Sequence, residues 1–150
     1  MTLFRFLNPL IALLLAFGGI FSIGAPTPLQ AASTLAAGDI AIIGMNTDDP
    51  DEFAFVLLVD VTSGTAINFT DNGWLAAGGF YPNEGHMTWT APSDLAAGTV
   101  INPSITGMSF AATGDQILAY QGSTGSPTLI YALNDEGAGV WQADATSSNT

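Results

Sequence analysis

The chain predicts an all-β domain, an antiparallel β-sandwich preceded by an export signal. Three observations predict it. Apolar runs are short and are separated by Gly, Pro, Asn and Asp. Several runs alternate with a period of two: Ile67 and Phe69 against Asn68 and Thr70, then Met87 and Trp89 against Thr88 and Thr90. No stretch after the first 32 residues sustains a helical period.

Residues 1–32 have the layout of a secretory signal peptide. Arg5 is the basic n-region, residues 10–25 are uncharged and largely apolar, and Pro26 and Pro28 break any helix there. Ala31 and Ala32 supply small residues for cleavage. The apolar stretch is shorter than the roughly 20 residues of a spanning helix. With no cysteine in the chain, lipid attachment at a cut-site cysteine is excluded, and so are disulfides.

Residues 33–38 are expected to form a short linker, followed by a sandwich domain over 39–142. Strands are predicted at 39–44, 53–61, 65–70, 86–90, 99–102, 116–120 and 128–133. The run FAFVLLV (53–59) is apolar at both parities, which predicts a central strand covered on both faces. Two phrases, GTAIN (64–68) and GTVIN (98–102), repeat one turn-into-strand device. This spacing of short strands fits an immunoglobulin-like sandwich better than a closed barrel. Residues 143–150 are a polar tail or a truncation point, with Val140 and Trp141 just before them as core-like residues.

The charge is one-sided. The chain has 13 acidic residues and a single basic one, Arg5, which the signal removes. The remaining domain cannot neutralise phosphates, which excludes direct nucleic-acid binding. An anionic membrane surface would repel it. Its carboxylates have no cationic side chain except His86 to meet, so they must be solvated, bonded to backbone N–H groups or matched by metal ions.

The phrases AGDIAIIG (37–44), DEFAFVLLVD (51–60), FTDNGW (69–74), MTWTAP (87–92) and GDQILAYQG (114–122) resemble lamin-tail-like, immunoglobulin-fold modules of exported bacterial multidomain proteins. The resemblance spans residues 37–142 and rests on turn and core phrases. It implies a fold and an extracellular or cell-surface location, and it transfers no catalytic residue.

The densest constellation is Asn46, Asp48, Asp49, Asp51 and Glu52, five oxygen-bearing side chains in one loop. Calcium takes six to eight hard oxygen ligands, so this loop is the candidate Ca²⁺ site, against the alternative of an ordinary Asp- and Pro-rich turn. Asp71-Asn72-Gly73 would add a ligand or form a tight turn with φ > 0. Asn134, Asp135, Glu136 and Gly137 make a third acidic turn. His86 is the only histidine, and no Gly-x-Ser-x-Gly phrase frames a nucleophile for it. It is expected at a strand edge. Gly78-Gly79 lacks the lysine and helix of a phosphate loop. Trp74, Tyr81 and Trp89, with Phe80, would stack on sugar rings if exposed and fill the core if not.

These readings converge on a non-catalytic extracellular module for adhesion, surface display or scaffolding, meeting a protein or glycan surface. The alternative is a carbohydrate- or calcium-binding accessory module of a larger secreted hydrolase. No cofactor other than Ca²⁺ is implied, and no enzyme activity.

Overall fold

The computed structural model describes residues 30–135. The signal peptide, apart from its last three residues, and the segment containing Glu136, Gly137, Val140, Trp141 and the 143–150 tail lie outside the described residues. Seven strands are formed: β1 (Ile40–Asn46), β2 (Glu52–Leu57), β3 (Ala66–Thr70), β4 (His86–Thr90), β5 (Val100–Ile101), β6 (Gln116–Ser123) and β7 (Ser126–Asn134). They make two antiparallel sheets, one in the order β1-β2-β5 and one in the order β4-β3-β6-β7.

The alternation seen in the sequence sets which side chains lie between the sheets. Phe53, Phe55 and Leu57 of β2 are buried, as are Ile67 and Phe69 of β3. Phe69 sits between the two β2 phenylalanines, with ring centroids 4.9 Å from Phe53 and 5.1 Å from Phe55. Trp89 meets Phe55 edge-on at 5.3 Å. These tilted and edge contacts are the favoured aromatic geometries and join the two sheets into one core.

Two expectations are corrected, for β2 and for Asn72-Gly73. β2 is central in its sheet but fully buried on one face only. Its outward residues Ala54 and Val56 are half-buried, and beyond its end Leu58 is 52% exposed. Among the described residues three strands build this sheet. Residues 33–38, expected as a short linker, lie against the domain. Leu35 is buried in the core, its N–H donates to Gln121 Oε1 at 2.8 Å, and the Ser33 N–H donates to Thr65 Oγ1 at 2.7 Å. Asn72-Gly73 is not a turn with φ > 0, since neither residue adopts positive φ. Those two residues open a long connection from β3 to β4.

The repeated GT-x-IN phrase does mark one device used twice. Gly64 and Gly98 both take positive φ, 81° and 87°. In each case the following threonine closes a turn, Thr65 N–H to Thr62 C=O and Thr99 N–H to Ala96 C=O. The glycine supplies the left-handed residue that a β-carbon would disfavour.

Candidate functional site

In the described residues, which contain no Lys or Arg, the carboxylates turn to the backbone. Asp39, Asp51, Asp60, Asp71, Asp94, Asp115 and Asp135 each accept at least one main-chain N–H. Such charge-assisted bonds are shorter and stronger than neutral ones, and here they replace ion pairs as loop anchors.

Four of these carboxylates gather at the end of the sandwich where the β1–β2, β3–β4 and β5–β6 connections meet. Asp71, directly after β3, accepts from Gly85 N–H at 2.7 Å and from Ser109 N–H at 2.9 Å. Asp51 accepts from Phe110 N–H at 2.8 Å and from Ser109 Oγ–H at 3.2 Å. Asp115 receives Ala111 N–H and Gln116 N–H, while its own N–H donates to Asp135 Oδ1 at 2.7 Å. The Gln116 side-chain amide donates to the Asp71 carbonyl. The 109–115 stretch is thus held by Asp51, Asp71 and Asp135 from outside it and by Asp115 within it.

Burial opposes ionisation in this cluster. It raises the Asp115 carboxyl to about 6, with the Asp71 and Asp135 charges adding to the rise and the Ala111 and Gln116 N–H groups opposing it. Burial also raises Asp71, against the N–H groups of Ser109 and Gly85 and the nearby His86. A raised carboxyl binds more protons in the folded than in the unfolded state, so its stabilising contribution is complete below the unfolded value near 3.8 and is lost as pH rises through about 6. The thermal midpoint is therefore expected to fall between about pH 4 and pH 6, the window set by the two Asp115 values. Asp115→Asn should flatten that slope. A midpoint that rises across the same interval in both proteins would refute the assignment.

His86 opens β4 and clasps the β3–β4 connection. Asn72 Oδ1 accepts the Glu84 N–H, which turns the Asn72 amide N–H toward His86 Nε2 at 3.2 Å. Nε2 then accepts, and the Nδ1–H faces the Tyr120 hydroxyl at 3.0 Å. Phe80 folds over both rings, 5.4 Å from His86 and 4.9 Å from Tyr120. Burial lowers the His86 pKa from its ordinary value, and the Asp71 charge opposes that shift. No Ser or Thr hydroxyl among the described residues is bonded to either ring nitrogen. From the start of β4 the histidine thus ties Asn72 of the loop to Tyr120 of β6.

The aromatic residues singled out from the sequence do not form one platform. Trp89 faces the inter-sheet core against Phe55. Trp74 and Tyr81 lie in the β3–β4 connection and are half-buried. Trp74 packs edge-on to Phe80 at 5.3 Å. Tyr120, which lies under Phe80, carries no signal of its own in the sequence, because it ends the apolar run Ile117-Leu118-Ala119 of β6.

The 46–52 loop is organised by amide chemistry. The Asn46 side-chain N–H₂ donates to the carbonyls of Asp48 and Pro50, both at 3.0 Å. Two backbone oxygens that would complete a calcium shell are thereby engaged, and Asp51 points to Ser109 and Phe110. Asp48, Asp49 and Glu52 remain exposed. Among the described residues no three His, Cys, Asp or Glu side chains converge on a common point.

Beside this loop runs a groove of about 500 Å³. Gly44 and Asn46 of β1, Glu52 and Ala54 of β2, and Pro103 and Ile105 after β5 line it.

In comparisons with known proteins, no family model, no curated protein and no solved structure matches this chain.

Proposed function

We propose that the chain is exported and works outside the cytoplasm as a non-catalytic, immunoglobulin-like module for adhesion, surface display or scaffolding. One observation carries this reading: the only histidine and the buried aspartates are committed to the fold. The buried aspartates hold backbone N–H groups of the loops, and both nitrogens of the only histidine are engaged by Asn72 and Tyr120. The export-signal pattern and the resemblance of residues 37–142 to lamin-tail-like surface modules support the location. A domain with these carboxylates and no cationic partner stays soluble through its net charge.

The exported protein should show no turnover on panels of ester, glycoside, phosphate and peptide substrates, and its mass should correspond to cleavage near Ala32. Turnover abolished by His86→Ala in a folded variant would overturn the reading. The accessory-module alternative rests on Trp74 and Tyr81 beside the exposed loop tip, for glycan, and on exposed Asp48, Asp49 and Glu52, for Ca²⁺. A Ca²⁺ role predicts a higher thermal midpoint in millimolar Ca²⁺ than in EDTA at matched ionic strength. An unchanged midpoint removes it.

A further inference from the structure

On its β5 side, strand β2 has an interrupted ladder. β2 pairs with β5 only at Phe55↔Ile101 and Val56↔Val100. The Leu57 N–H bonds across to Thr99 C=O, so alternate residues Phe55 and Phe53 direct their N–H groups to the same side. Continuing the register places Pro103 opposite Phe53. Proline has no N–H to give the Phe53 carbonyl, and no described strand pairs with β2 beyond Phe55 on that side. The groove of about 500 Å³ opens at this unpaired edge.

Its chemistry is asymmetric. Ala54, Pro103 and Ile105 give apolar walls, and Glu52 stands at one end with Asp48 and Asp49 nearby on the same loop. The apolar character continues down the sheet through Val56 to Val100, which is 52% exposed. The described residues offer no Lys or Arg to meet Glu52. A second copy would bring the same negative end and no cation, so charge complementarity disfavours self-pairing.

We propose that this groove receives an extended segment of a partner protein, added as a strand to the β2 edge, with alternating apolar and Lys or Arg side chains. The apolar residues lie on Ala54 and Ile105, a basic residue reaches Glu52, and the partner backbone continues the ladder at Phe53. This deepens the binding-module reading and rests on it.

The test uses the exported protein and a capped hexapeptide alternating Lys and Val. Two comparators replace Lys by Glu or Val by Ser. The Lys/Val peptide should bind, weaken with added salt, and slow hydrogen exchange at the Phe53 amide. Both comparators, and both the exposed-site variant Glu52→Lys and the groove-filling Ala54→Arg, should bind about tenfold more weakly or worse. Melting curves verify folding; if Ala54→Arg fails to fold, Glu52→Lys and the comparators still decide. Equal binding of the Lys/Ser peptide would reduce the effect to bulk charge and overturn the proposal. So would absence of binding, or unchanged exchange at Phe53. A dimer in sedimentation that Ala54→Arg dissolves would overturn it in favour of a second copy. Failure here with an inert substrate panel leaves the non-catalytic reading standing, whereas turnover would remove both.

Discussion

Gly85→Ala is expected to lower stability by about 3 kcal/mol, or roughly 10–20 °C in thermal midpoint for a domain of this size. A β-carbon at Gly85 would overlap the carbonyl oxygen of Gly107 and come 2.7 Å from its carbon and 2.8 Å from Met108 Cα. All of these are backbone atoms or lie on the backbone, so no side-chain rotation relieves the overlap. Nor are the two segments free to part. The Gly85 and Ser109 N–H groups are bonded to the two oxygens of one carboxylate, Asp71, and moving either segment strips a buried acceptor of a donor. Gly125→Ala is the control, because its β-carbon meets nothing within 4 Å and its φ is not positive. Thermal melts of the two variants check the claim, and equal midpoints would show that the crossing of the 85 and 107 segments is looser than described.

Phe55→Ala should cost about 4 kcal/mol. Phe55 is fully buried and touches Phe53, Phe69 and Trp89, which belong to strands of both sheets. Truncation removes the ring that spans the layers and leaves a cavity whose walls are other rigid rings, poorly able to collapse. Phe55→Leu keeps most of the volume and should cost about 1–2 kcal/mol, the difference reporting shape. Urea unfolding is the measurement. The midpoint should fall with little change in slope if the folded state keeps its compactness. A Phe55→Ala cost below that of Phe55→Leu would mean that the core joins the sheets elsewhere.

Much of this architecture is legible one strand at a time. A period of two is a local property, and it marked β3 and β4 to within a residue. It also placed Ile67 and Phe69 on a common face without knowledge of their partners. Turn chemistry at Gly64 and Gly98 is equally local, because left-handed φ constrains the residue itself. The candidate site was less legible. Asp51 belongs by sequence to a cluster of calcium-type oxygens, yet its carboxylate binds Ser109 and Phe110, far along the chain. Nothing local distinguishes those two fates. Alternation with Thr88 and Thr90 put Trp89 on the face of Met87, and the pairing Ile67↔Trp89 turns that face toward Phe55, whereas no such local pattern places Trp74.

The same division holds for the charge. Composition alone required that carboxylates without cations seek water, backbone N–H groups or metal ions. The assembled fold decided which aspartates met backbone, by bringing the 107–115 segment under Asp51 and Asp71. It also decided that β2, apolar on both faces in sequence, is fully buried on one only. Side-chain periodicity describes a strand's faces but not the layers available to cover them, since layer number depends on how many strands the whole chain places in each sheet. The open edge at Phe53 follows from the same cause: it depends on where Pro103 falls in the register with β2, a relation between segments that neither one carries alone.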